Sequence, residues 1–175
     1  MKGLIIYRSR YGATRQYAHW LGEELQLPLR QPEEISSEDI ANCDFVIIGS
    51  SVYVGKLLIR KWLAKQMPIL QNKKIFLFIV CGTPPEEQEK LNVILKNNSQ
   101  LSLLKQATIY FLHGRMLLKG LHWLDRFGLK LGASLVKDPK VKKEMVTDFD
   151  DVRKEHIIPL VKEVEAFVCQ EKVLA

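Results

Sequence analysis

Gly3-Leu4-Ile5-Ile6-Tyr7 runs straight into Ser9-Arg10-Tyr11-Gly12-Ala13-Thr14-Arg15, and these residues decide the fold. The apolar run is a short buried strand, and the hydroxyl- and glycine-containing stretch after it is a turn into a helix. The first backbone N–H groups of a helix have no partner within it, and the helix dipole adds partial positive charge there. Such a turn is a cradle for a phosphate. Ser9 and Thr14 add side-chain donors, and Gly12 lets the backbone come close to a ligand. No Gly-Lys-Ser/Thr follows, so the turn is not a P-loop, and it lacks the Gly-x-Gly-x-x-Gly dinucleotide pattern. The competing reading is an ordinary βα turn with a threonine near the helix start.

Outward from this turn, strands and helices alternate. Tyr17, Ala18, Leu21 and Leu25 fall on one face of a helix over Ala13–Leu25. Gln26–Arg30, which contains Pro28, suits an edge strand, and Ser36-Ser37-Glu38-Asp39 reads as a capped turn. Phe45–Gly49 and Ile75–Val80 are continuous apolar runs, as parallel strands covered on both faces require. Helices are expected over Lys56–Met67 and Glu86–Asn97, and Ala107–Leu112 is the fifth strand. A basic segment then delays the continuation of that strand until Met145-Val146-Thr147. The final helix is expected from the capping-box pattern Thr147-Asp148-Phe149-Asp150 to about Val168, kinked or divided at Pro159. Five strands separated by helices imply an α/β domain over residues 1–175, doubly wound around a five-stranded parallel sheet.

A chain of 175 residues, 47% of them hydrophobic, can bury a full core without metal or disulfide support. Cys43, Cys81 and Cys169 form no C-x-x-C pair, and their odd number fits reduced thiols in a cytoplasmic protein. Arg8 and Arg10 interrupt the apolar N-terminus too early for a signal peptide, and no apolar run reaches spanning length. His19, His113, His122 and His156 lack ligand-spaced partners, so no metal site is expected. A Gly-x-Ser-x-Gly elbow is missing too, and no side chain is assigned a catalytic acid, base or nucleophile role.

In doubly wound sheets, ligands bind outside the C-terminal ends of the strands. Three loops reach that edge: Ser9 to Thr14, then Ser50-Ser51-Val52-Tyr53-Val54-Gly55, then Cys81-Gly82-Thr83-Pro84. Small hydroxyls, glycines and one aromatic beside a phosphate turn suit a flat ring on a phosphorylated chain. Tyr53 would stack on the ring and third-loop N–H groups would bond its polar edge. Taken singly, Tyr53 is more readily a loop aromatic packed on the fold, and Cys81 more readily a small buried residue.

On these loops the chain resembles the flavodoxin family: Ser9-x-x-Gly12-x-Thr14 is similar to its FMN phosphate loop, with one extra residue between hydroxyl and glycine. The resemblance implies a strand order of 2-1-3-4-5 and an insertion, about 115–145, in or after the fifth strand. It implies FMN as cofactor, held by Ser9, Arg10, Tyr11, Gly12, Ala13, Thr14 and Arg15 at the phosphate. Ser50, Ser51, Val52, Tyr53, Val54, Gly55, Cys81, Gly82 and Thr83 would surround the ring. Within the family the chain is similar to the menaquinone-dependent protoporphyrinogen dehydrogenases. That likeness rests on the first turn, on Ile48 to Gly55, on Trp123-Leu124-Asp125-Arg126-Phe127 and on Thr147 to Val152. It implies electron transfer from a porphyrinogen through FMN to a quinone; a plain flavodoxin carrying electrons between proteins is the alternative. Met116 to His122 departs from that subgroup's tyrosine- and arginine-rich insertion.

The net charge of +6 is local, because eight cations and three anions lie between Arg115 and Met145. There, Leu117, Leu121, Leu124, Gly128, Leu131 and Leu135 fall at helical spacing with Lys119, Arg126 and Lys130 among them. Such a helix can pack on its own domain, rest on an anionic bilayer, or wall a site for an apolar substrate. Arg115, Lys119, Trp123 and Arg126 are the expected substrate or membrane contacts, and Asp125 and Arg126 would pair or cap locally. Nucleic acid is not expected as a partner, since no binding motif accompanies the charge. Nothing in the sequence sets the oligomeric state.

Overall fold

The computed structural model describes residues 1–135, 138–139, 142–143 and 146–174. Strand β1 (Gly3–Arg8) leads into helix α1 (Ala13–Leu25), then β2 (Leu29–Arg30), α2 (Ser37–Ala41) and β3 (Phe45–Tyr53). A short strand β4 (Lys56–Leu57) precedes α3 (Arg60–Leu70), β5 (Lys74–Cys81), α4 (Gln88–Asn97) and β6 (Thr108–His113). The inserted segment holds β7 (Arg115–Met116), α5 (Trp123–Leu135) and β8 (Phe149–Asp150), and α6 (Ile158–Leu174) follows.

The parallel strands run β2-β1-β3-β5-β6, which is the 2-1-3-4-5 order once the hairpin strand β4 is set aside. Register is pinned over long stretches, from Gly3 opposite Phe45 to Arg8 opposite Ser50, and from Phe45 opposite Lys74 to Ser51 opposite Val80. Because side chains alternate along a strand, each central strand feeds two cores. Ile5, Tyr7, Phe45, Ile47, Phe76 and Phe78 face α1 and α6, with Tyr17, Leu21, Leu160 and Val164 packed on them. Leu4, Ile6, Val46, Ile48, Ile75 and Leu77 face the other way, under Ile40 of α2 and Leu63 and Leu70 of α3. Each such fully buried side chain contributes roughly 1.5–3 kcal/mol, so the continuous apolar runs hold the sheet between two helical layers.

Four expectations are corrected. Helix α3 starts at Arg60, not Lys56, because Lys56–Leu57 turns back to pair antiparallel with Val52–Tyr53. The edge strand shrinks to Leu29–Arg30. The expected strand at Met145-Val146-Thr147 begins outside the described residues, and Val146 and Thr147 are non-strand turn. The apparent capping box is instead a strand end: Phe149–Asp150 pairs antiparallel with Arg115–Met116 as a separate two-stranded ribbon. The last helix begins at Ile158, so Pro159 sits in its first turn, where its missing N–H costs nothing.

Candidate functional site

The C-terminal ends of β1, β3, β5 and β6 meet at one crevice. Its walls include Ser9, Arg10, Tyr11, Ala13 and Thr14 from the first turn and Ser51, Val52 and Tyr53 from the second loop. Val80, Cys81 and Gly82 come from β5, and Gly114 and Arg115 from the chain after β6. The first turn is set by Gly12, which adopts φ 88 as the residue before α1 and donates its N–H to Ser9 Oγ at 3.1 Å. A side chain at that φ is strained, which is the local reason for glycine.

Among the described residues, three buried side-chain N or O atoms have no hydrogen-bond partner: Thr14 Oγ1, Ser51 Oγ and Arg115 Nε. All three residues line this crevice. Buried polar groups without a hydrogen-bond partner destabilise a fold and are few in native proteins; of these three, Arg115 Nε has an ion-pair partner in Asp150 Oδ1 at 3.4 Å, and the two hydroxyls have none.

The second loop is a two-residue hairpin between β3 and β4, with Val54 at φ 48 and Gly55 at φ 71. Positive φ at both positions is the type I′ geometry. Asn98, fully buried, holds the hairpin: its Oδ1 accepts from Leu57 N at 3.0 Å and its Nδ2 donates to Gly55 O at 3.1 Å. Val54 points to solvent, 82% exposed. Ser50 turns to the opposite core, where its hydroxyl accepts from Ile59 N at 3.3 Å. Neither Ser50, Val54 nor Gly55 lines the crevice, and Arg15 lines a neighbouring groove along α1 with Gly12 and Gln16.

The third loop is clamped from behind. Gly114 N donates to Cys81 O at 2.8 Å, and His113 Nε2 lies 3.2 Å from Gly82 O. The other ring nitrogen of His113 lies 3.0 Å from Asp151 Oδ2, and the ring stacks on Phe149 at 5.1 Å. Burial pushes the Cys81 thiol up, so it stays protonated at neutral pH. Beside this loop, Thr83, Pro84, Met116, Leu129 and Phe149 line a second, largely apolar hollow of about 520 Å³, which shares Gly82 with the crevice.

Asp125 of α5 closes the crevice mouth. Its Oδ2 accepts from Arg10 Nε at 3.0 Å and Nη2 at 2.7 Å and from the Tyr11 hydroxyl, and its Oδ1 accepts from the Tyr53 hydroxyl at 2.7 Å. Arg10 also lies 4.1 Å over the Tyr53 ring. Burial pushes the Asp125 carboxyl up, but the hydrogen bonds from Tyr11, Tyr53 and Arg10 outweigh it and hold the group below the usual carboxylate range. The crevice beside the clasp has a volume of about 90 Å³. Asp125 does not pair with Arg126, which donates to Lys119 O at 3.0 Å. Sequence reasoning missed Asp125 as the partner of the crevice residues Arg10, Tyr11 and Tyr53, since these stand more than 70 positions away.

Helix α5 presents an unusual surface. Asp125, Gly132 and Ala133 face inward, while Trp123 (68% exposed), Phe127 (58%), Leu131 (50%) and Leu135 (83%) form a stripe on the outer face, with Leu124 beside it. Trp123 lies in this stripe and Arg126 is exposed on the same helix, its side chain donating to Lys119 O in the exposed segment before α5; Arg115 is apart from them, in the crevice wall.

A flavodoxin-domain family model matches residues 4–143. The chain belongs to the flavodoxin family. A protein of uncharacterised function from Methanocaldococcus jannaschii is 34% identical over 87 residues, a match covering 48% of this chain and 57% of that relative. Solved structures similar to this flavodoxin-family protein include a flavodoxin from the domain Archaea, 14% identical with a TM-score of 0.48, covering 94% of this chain and 99% of that one. A flavoprotein in complex with FMN from Lactobacillus acidophilus is 15% identical with a TM-score of 0.44, covering 64% and 91%. Among the described residues no helix is long and apolar enough to cross a membrane.

Proposed function

We propose that this flavodoxin-family protein is an FMN-dependent oxidoreductase that passes electrons from a porphyrinogen-like substrate to a quinone. The observation that carries the cofactor is the pair of orphaned buried hydroxyls, Thr14 Oγ1 and Ser51 Oγ, together with the Arg115 guanidinium, around one crevice at the start of α1. These residues fit FMN: Ser9, Thr14 and the turn N–H groups would hold the phosphate, and Ser51, Tyr53 and the Cys81–Gly82 turn would border the ring. Bound FMN would supply the redox chemistry, taking up two electrons and releasing them to the acceptor. The protein's part is to bind and orient it. Arg10 lies over the face of Tyr53, the face on which the ring would stack, so seating the ring there would require Arg10 to leave it.

The apolar hollow beside Gly82 supports a second, oxidisable or reducible ring next to the flavin. The outward apolar stripe of α5, with Lys119 and Arg126 near it and Asp125 turned inward, supports peripheral contact with an anionic membrane, where a quinone is dissolved. A plain electron carrier is the competing assignment, but a local +5 charge does not suit docking to basic partner proteins.

The visible spectrum of the purified protein, with and without added FMN, tests the cofactor. Flavin bands near ~450 nm that stay with the protein on gel filtration are expected; failure to retain added FMN refutes the assignment. With flavin retained, turnover of protoporphyrinogen with menaquinone supports the enzyme, and one-by-one electron shuttling without turnover supports the carrier. Co-sedimentation with phosphatidylglycerol vesicles, lost in Phe127→Glu/Leu131→Glu, tests the membrane contact; equal sedimentation of the variant refutes it.

A further inference from the structure

A phosphate monoester carries close to two negative charges at neutral pH, and the donors of the first turn that face the crevice, Ser9 and Thr14, are uncharged. Arg10 is held by Asp125, and Arg15 is exposed in the neighbouring groove. Arg115 is different. It comes from β7, a hundred residues downstream of the turn, yet it lines the same crevice as Ser9 and Thr14. Its Nη2 donates to Gln16 Oε1 at 2.5 Å, which places the guanidinium against the first turn of α1. Its Nε is buried and has no hydrogen-bond partner. That nitrogen forms an ion pair with Asp150 Oδ1 at 3.4 Å, outside hydrogen-bonding geometry and longer than the 2.7 Å of the Arg10–Asp125 pair.

We infer that Arg115 is a specificity residue of the cradle: its guanidinium reads the charge of the flavin nucleotide's phosphate, so FMN is told from uncharged riboflavin by an ionic contact as well as by the turn. The inference rests on the flavin assignment above. Its physical basis is that a guanidinium gives charge-assisted hydrogen bonds to a phosphate, about twice as strong as neutral ones, and that a half-desolvated cation is only weakly screened by salt. The inserted segment thereby contributes to the cofactor site as well as to the outer surface.

The test is a pair of titrations, FMN and riboflavin, by flavin fluorescence on the full chain, with thermal unfolding by circular dichroism alongside. Arg115→Gln should weaken FMN roughly 10–100-fold and leave riboflavin within about twofold. Arg115→Lys, which keeps the charge and loses the fork, should fall between. Asp150→Asn removes the nearest competing carboxylate and should raise the preference for FMN. Equal losses for both flavins in Arg115→Gln, or unchanged FMN binding, overturn the inference while leaving the flavin assignment standing. If Arg115→Gln does not fold, Asp150→Asn decides, and an unchanged FMN-to-riboflavin ratio overturns the inference. Native protein that binds neither flavin overturns the flavin assignment itself.

Discussion

Replacing Thr14 by valine removes one oxygen from a place where that oxygen has no protein partner. Thr14 is fully buried in the first turn of α1, and its Oγ1 makes no hydrogen bond. A buried hydroxyl left unsatisfied costs about 1–3 kcal/mol. Valine keeps the β-branch and has nearly the same helix propensity, so without flavin Thr14→Val should be more stable by about 1 kcal/mol. For a chain of this size that is a rise in Tm of roughly 2–4 °C. The same change deletes a hydrogen bond to the phosphate, about 1.5–3 kcal/mol for a charged acceptor, and should weaken FMN roughly 10–100-fold. Stability and binding therefore move in opposite directions, and calorimetry with and without FMN reads both. A variant that melts lower than native without flavin, or one that binds FMN as tightly as native, refutes the idea that this hydroxyl is kept for a ligand.

Other changes probe the surrounding structure. Val54 adopts φ 48 while 82% exposed; the left-handed region costs an ordinary residue about 1–2 kcal/mol, so Val54→Asn should raise Tm, and a lower Tm would show that Val54 makes contacts worth more than its strain. Asn98→Ala leaves Leu57 N–H and Gly55 O without their partner and should cost about 2–3 kcal/mol in urea unfolding; a loss under 0.5 kcal/mol would contradict the role assigned to it. The Asp125 carboxyl is held below its ordinary value, so the clasp's contribution is complete above about pH 4 and is lost as pH falls through the lowered value. Asp125→Asn should weaken the clasp above about pH 4, make it insensitive to pH below that, and speed FMN association in stopped flow at neutral pH. Equal rates in native and variant would show that the clasp does not gate the ring.

The central sheet was legible because Phe45–Gly49 and Ile75–Val80 are apolar at every position over strand length, a pattern typical of a parallel strand buried on both faces. The first turn was legible from Gly12 and the hydroxyls flanking it. What escaped was decided by distant partners. Thr147 to Asp150 carries a local helix-start signature, but pairing with Arg115–Met116 overrides it. The hairpin at Val54–Gly55 was hidden because valine is a poor turn residue, and it stands there on support from Asn98. Asp125 read as a local pair with Arg126, whereas its position over the crevice depends on Arg10, 115 residues away.

The chain has three tryptophans, and each stands on a different surface. Trp20 packs against the core under α1 and α6, Trp62 against the core under α2 and α3, and Trp123 lies open on α5. Versions retaining one indole at a time therefore make three separate fluorescence channels. The loosening of one helical layer can be timed against the other in a single stopped-flow denaturation. The third channel, silent to both layers, reports through its emission maximum on whatever comes to rest against the outer helix.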